Sequence, residues 1–235
     1  MEKVSITRMR TTEPIPAWQR ENRLKAWTVV ILTTWFVSTL GASLLGMFNT
    51  QDSLPMPLGM AAIIPIVAFA IGYFGSSAFR QFVLSANLQL LTLAQTWRLG
   101  AIVFLILYSQ GVLPGVFALP AGWGDIAIGA TAPLVAWAVS SRKTFPKRLF
   151  VAWNLLGTLD LVMAVTLGIL SSATPFGILA GESTTEAMGR FPLSMVPTFF
   201  VPLLMIFHLI AIGSVRNNPA YYQSGVKHDV IRAAL

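Results

Sequence analysis

The chain has 235 residues, of which 55% are hydrophobic and only 11% charged; a soluble domain carries roughly 25% charged residues. That balance, with a mean hydropathy of +0.69, excludes an ordinary soluble domain and points to one integral membrane bundle. The net charge of +7 sits in tails and short loops beside apolar spans, so it reads as topology and not as nucleic-acid binding, and with no cysteine disulfides, thiolate metal sites and cysteine nucleophiles are excluded.

Residues 1–26 form a polar, basic tail with Arg8, Arg10, Arg20, Arg23 and Lys25. The first span is expected at 27–48, with Gly41, Ser43 and Gly46 as small residues for close helix approach. Its apolar run of about 20 residues matches a ~30 Å hydrocarbon core. It is too long for the core of a cleaved leader and is expected to be retained. A second span is expected at 58–77, kinked at Pro65. Residues 79–96 show apolar recurrence at helical spacing among Asn87, Gln89 and Gln95; they read either as an interfacial helix or as part of the third span. That span begins between 90 and 98 and ends near Val112. The fourth covers 121–140, with Pro133 inside it, and the fifth 149–171. A longer loop with Glu182, Glu186 and Arg190 precedes the sixth at 192–213, and 214–235 is a second tail. Six spans place both termini, the loop containing Arg142, Lys143, Lys147 and Arg148, and Arg80 on one side. That is the cytoplasmic side by the positive-inside rule, with Asp52, Glu182 and Glu186 opposite. The expected architecture is an all-α bundle of six transmembrane helices over 27–213, with both termini cytoplasmic.

Polar groups within hydrocarbon mark function or register. The candidates are Arg98, Asp125, Asn154, Asp160 and His208. Counted from the outer end of each span at 1.5 Å per residue, Asp125 lies ~6 Å deep, Asp160 ~16 Å, Arg98 ~21 Å, and Asn154 and His208 ~25 Å. An arginine spans the difference to Asp160 but not to Asp125, so an Arg98–Asp160 contact between spans three and five is expected. It reads either as a buried ion pair fixing helix register or as a substrate or proton site. Asp125 falls in the first turn of span four if Pro120 or Gly122 starts that helix, where the helix dipole favours a carboxylate. Alternatively, "LPGVFALPAG" is a broken segment and Asp125 the acid of an outward-facing cavity. His208 and Asn154 are expected to hydrogen-bond neighbouring helices, with His208 also a candidate proton relay. One histidine within the spans argues against bis-histidine haem. Trp18, Trp27, Trp97 and Trp123 fit an interfacial belt.

Three blocks, "TWRLGAIVFLILYSQGVLPGVFALPAGWGD", "WNLLGTLDLVMAVTLG" and "PLSMVPTFFVPLLMIFHL", together resemble a family of uncharacterised bacterial polytopic inner-membrane proteins. The blocks read R-x-G, G-x-L-P and F-A-x-P-A-G-x-G-D, then W-N-x-x-G-x-x-D, then P-x-x-x-x-P followed by H. The resemblance covers residues 96–213. It implies a multi-pass inner-membrane location and singles out the same five residues; it carries no activity.

The expected function is small-solute or ion transport, proton-linked through Asp125, Asp160, Arg98, His208 and Asn154. The alternative is a non-catalytic structural or assembly subunit of a larger membrane complex. An enzyme acting on lipid or quinone ranks last, since H-E-x-x-H, G-x-S-x-G and phosphate-loop motifs are missing. No cofactor or metal is expected. The partners are the bilayer and either a membrane protein or a second copy of the chain.

Overall fold

The computed structural model describes residues 17–49, 56–140 and 146–217, and every regular element among them is helical. Most of both tails, Asp52, Arg142, Lys143 and His228 lie outside the described residues. Helix α1 runs over Ala17–Leu44, α2 over Met56–Gly75, α3 over Ser77–Leu84 and α4 over Leu88–Ala94. A 3-10 helix over Gln95–Ala101 joins α4 to α5 (Ile102–Ser109), making one continuous rod with them. Then come α6 (Gly115–Ser140), α7 (Lys147–Leu170), a 3-10 turn at Thr185–Gly189, a π-helical turn at Val196–Phe200 and α8 (Val201–Asn217).

Five segments are long and apolar enough to cross a membrane: Asn22–Leu44, Met56–Gly75, Leu88–Ser109, Lys147–Leu170 and Val196–Asn217. They mark the chain as a membrane protein. Helix α6, 26 residues long, is not among the five, and it carries Asp125, Pro120, Pro133 and several glycines.

The segments alternate in direction, as two apolar clusters make plain. One gathers Leu88, Ile128, Ala132, Phe150, Trp153, Ala211 and Val215. The other gathers Ala101, Phe104, Phe117, Ala118, Ala121, Ala164 and Met188. The rod of α4 and α5 passes from the first cluster to the second, α6 returns, α7 goes back, and α8 ends at the first. Helix α1 ends beside the second cluster's loop, where Ser43 and Ser194 share a hydroxyl hydrogen bond. Arg23, Lys25, Arg80, Lys147, Arg148 and Arg216 therefore gather at one end of the bundle, the basic end. Glu182 and the Glu186–Arg190 ion pair lie at the other, the loop end.

Local sequence explains where the elements break. Ser76 caps α3, its hydroxyl accepting from Phe79 N at 3.2 Å. Asn87 caps α4, its carboxamide oxygen accepting from Gln89 N at 2.9 Å and Leu90 N at 3.2 Å, as short polar side chains do at helix starts. The expected interfacial helix near 79–96 is thus divided: only Ser77–Leu84 is a separate amphipathic helix, and the third apolar segment starts at Leu88, before the expected 90–98. In α6 the polypeptide enters the helix right after Pro114, whose carbonyl accepts from Phe117 N at 3.1 Å and Ala118 N at 2.9 Å. Pro120 lies inside this helix and does not start it, so the fourth segment begins at Gly115 and not at residue 121. Proline within a membrane helix is tolerated where neighbouring helices shield the freed carbonyl.

Two expectations for small and aromatic residues change as well. A Cβ added at Gly41 would meet nothing within 4 Å, so no close contact there requires a glycine, and Gly46 takes φ +71° in the turn after α1; Ser43 does meet a neighbour, Ser194. Trp97 and Trp123 lie well inside their segments, too deep for an interfacial belt, and Trp97 stacks on Phe200 with ring centroids 5.1 Å apart.

Candidate functional site: a buried arginine between two aspartates

The 3-10 segment sets the site. At three residues per turn, side chains at i and i+3 line up, and Gln95, Arg98 and Ala101 are all buried on one face. That face lies against α6, where Gly129 permits contact: a Cβ there would come within 2.8 Å of Leu99 N, a backbone atom. Arg98 is 3% exposed, so each of its donors needs a partner inside the protein.

Each of its three nitrogens finds one. Arg98 Nε donates to Asp125 Oδ1 at 2.6 Å. Arg98 Nη2 donates to Asp160 Oδ2. Arg98 Nη1 donates to the Gly157 carbonyl at 3.2 Å and faces His208 Nε2 at 3.2 Å. A guanidinium can only donate, so His208 Nε2 accepts and the ring proton sits on Nδ1. From there it is donated to Asn154 Oδ1 at 2.9 Å, and Asn154 Nδ2 donates to the Phe150 carbonyl at 2.9 Å. The five candidates form one connected network across the third apolar segment, α6, α7 and α8. Trp153 packs edge-on to His208 with centroids 5.6 Å apart, and its indole N–H donates to Thr131 Oγ1 at 2.9 Å, tying α7 to α6.

The Arg98–Asp160 contact follows the depth estimate. The Arg98–Asp125 contact does not, and its cause is the start of α6. With that helix beginning at Gly115, Asp125 lies ten residues in, or ~15 Å at 1.5 Å per residue. That equals the depth of Asp160, ten residues before the end of α7. Asp125 is therefore neither in a first turn nor shallow; it faces Asp160 across the arginine. The polar layer lies between the two apolar clusters.

Glycines make room for these groups. A Cβ at Gly157 would stand 2.4 Å from His208 Nε2, and one at Gly124 only 1.7 Å from Asp160 Oδ1. Gln95, buried one 3-10 turn before Arg98, is a further polar residue beside the network and not one of the five candidates. It is 1% exposed and donates through Nε2 to the Leu204 carbonyl at 3.1 Å, one turn before His208. Its other amide atom, Oε1, has no partner among the described residues. The signal was present in the sequence as a glutamine three residues before an arginine in an apolar stretch.

A cavity of about 140 Å³ reaches Asp125 from the loop end. Phe104, Phe117, Ala164 and Val165 form apolar walls, and Thr185 and Glu186 lie toward the loop. Among the described residues no group of three His, Cys, Asp or Glu side chains is placed to hold a metal ion.

The fold and the site together define a helical membrane protein with an ionic cluster buried between apolar layers. The chain belongs to the family of the domain of unknown function DUF8737, whose model matches residues 54–216. That stretch contains all five network residues. No curated protein and no solved structure matches the chain at a significant level.

Proposed function

We propose that the chain is a six-pass transporter of the bacterial inner membrane, with both termini cytoplasmic, exchanging a small organic cation for protons at Asp125. The observation that carries this reading is that Asp125 shares a single arginine with Asp160 and also lines a cavity. Two carboxylates and one guanidinium leave a formal deficit of one positive charge. An uncompensated charge away from water is costly, so the cluster gains by taking either a proton or a cation. A site that accepts the two in competition is an exchanger in its simplest form. Apolar walls select against strongly hydrated ions and in favour of a cation with an apolar surface. The His208–Asn154 arm leads from the same arginine toward the basic end and extends the polar network in that direction.

The alternation of helix directions supports six crossings, α6 included, since its 26 residues extend ~39 Å at 1.5 Å per residue. The gathering of bases at one end supports placing that end in the cytoplasm.

The test is flux in liposomes loaded with a pH-sensitive dye at acidic interior pH. Tetramethylammonium, tetraethylammonium and benzyltrimethylammonium are the external probes, because permanent cations do not cross lipid unaided. Alkalinisation of the interior on addition of one of them is expected with the native chain and is abolished in Asp125→Asn. Rates equal to protein-free liposomes for all three probes would overturn the reading.

A second reading, a subunit of a larger assembly, is favoured by one observation: α2 buries no residue and exposes Ile63, Ile64, Val67 and Ile71. Lipid covers such a face equally well. A stoichiometric partner retained through purification, with no cation-dependent flux, would favour the subunit.

A further inference from the structure

A second recess lies at the basic end, away from the ionic cluster, where α2, α3 and α8 converge. The geometry points to a binding site there for one anionic phospholipid, its phosphate held between Arg80 and Arg216. The groove measures about 690 Å³. Arg80 comes from α3 and Arg216 from the last turn of α8, so two separate elements deliver guanidinium groups to one concavity. Among the described residues neither has an ion-pair partner, although the network and the Glu186–Arg190 pair satisfy the other buried or paired arginines.

The rest of the groove is built for the remainder of a lipid. Phe69, Phe74, Leu209 and Ile212 present apolar surface, with Phe74 77% exposed and Leu209 38%. Tyr73 lies between the apolar and basic parts. Its hydroxyl accepts from Asn217 Nδ2 at 3.3 Å, leaving its own proton free to donate. Asn217 is fixed in turn by donating to the Gly213 carbonyl at 2.8 Å. A phosphate flanked by two guanidinium groups and a phenol, with acyl chains running over aromatic and branched side chains toward the hydrocarbon, matches the groove's order from end to middle. Arginine favours phosphate through its planar fork of donors.

A zwitterionic lipid offers the same phosphate with an attached cation, which the arginines disfavour. The occupant is therefore a net-anionic glycerophospholipid of the leaflet that borders the basic end. This site is independent of the transport reading and survives its failure.

Native mass spectrometry of the intact chain, released from micelles doped with phosphatidylglycerol or phosphatidylcholine, tests it. One phosphatidylglycerol is expected to be retained in preference to phosphatidylcholine. At ~1 kcal/mol per basic residue near an anionic surface, Arg80→Gln or Arg216→Gln should each weaken retention about fivefold and the double variant about thirtyfold. Unchanged melting of the double variant will show that the fold is intact. Equal retention by native and double variant would overturn the proposal, as would equal retention of the two lipids. Displacement of the lipid by millimolar inorganic phosphate would also overturn it, by assigning the pocket to a free anion.

Discussion

Gly157→Ala is the most quantitative perturbation of the network. The added methyl would stand 2.4 Å from His208 Nε2 and 2.5 Å from Cε1, where ordinary contact begins at 3.4 Å. The ring must therefore retreat by about 1 Å. It has no slack, because Arg98 holds Nε2 at 3.2 Å and Asn154 holds Nδ1 at 2.9 Å. A retreat of that size breaks at least one of these bonds, each worth on average ~0.6 and at most ~1.7 kcal/mol within a membrane. Overpacking of a filled interior adds to that, giving a destabilisation of about 1–3 kcal/mol. The assay is reversible unfolding of purified protein in mixed detergent micelles, with Gly41→Ala as control, since nothing lies within 4 Å of that Cβ. Gly41→Ala should unfold with the native chain. If Gly157→Ala does the same, the His208 ring is not clamped as described and the reasoning fails.

Other perturbations follow from the same geometry. Arg98→Met strands two carboxylates and should cost about 3–5 kcal/mol; Arg98→Lys should recover part of this, because an ammonium keeps the charge but lacks the guanidinium's planar fork of donors. Gly124→Ala drives a methyl into Asp160, and combining it with Asp160→Ala should cost less than the sum of the single changes, a coupling that a double-mutant cycle in the same unfolding assay detects. Ser43→Ala and Ser194→Ala should show a coupling of ~0.6 kcal/mol, the typical worth of one hydrogen bond between membrane segments. Gly46→Ala forces a side chain into φ +71° and should cost ~1–2 kcal/mol, whereas Gly59→Ala, with open space around it, should stay within about 0.5 kcal/mol of native.

The Arg98–Asp160 contact was legible in the sequence because burial cost marks charged residues and rise per residue gives their depth. Asp125 was misplaced for a local reason. The expected start is the second of two prolines, but the segment 115–120 is already helix and continues through Pro120. A shift of about six residues at 1.5 Å each moved the carboxylate from the surface to the middle. The start of the third segment is likewise expected too late, at 90–98 instead of Leu88, because nothing in the apolar periodicity marks Asn87 as the cap of that helix. Gln95 is legible as a glutamine in an apolar stretch, but its sharing a face with Arg98 is not: at α-helical spacing the two diverge by about 60°, and only the 3-10 winding aligns them. Gly41 shows the converse, a small residue in a suggestive place where an added Cβ would meet nothing within 4 Å.

The account rests on Asp125 being reached from the loop end through the cavity. The natural chain has no cysteine, so single thiols can be placed without background. Gly168 lines the cavity and a Cβ there would meet only Phe117, in ordinary contact at 3.5 Å, so Gly168→Cys is a mild replacement. Leu156, on the same helix and 60% exposed to the surroundings of the bundle, provides the lipid-facing comparison as Leu156→Cys. A charged, membrane-impermeant thiol reagent should modify Gly168→Cys and leave Leu156→Cys untouched, and a bound quaternary ammonium ion should slow the first reaction. Modification of Gly168→Cys no faster than of Leu156→Cys would mean a cavity closed to aqueous solutes, and would contradict transport at Asp125.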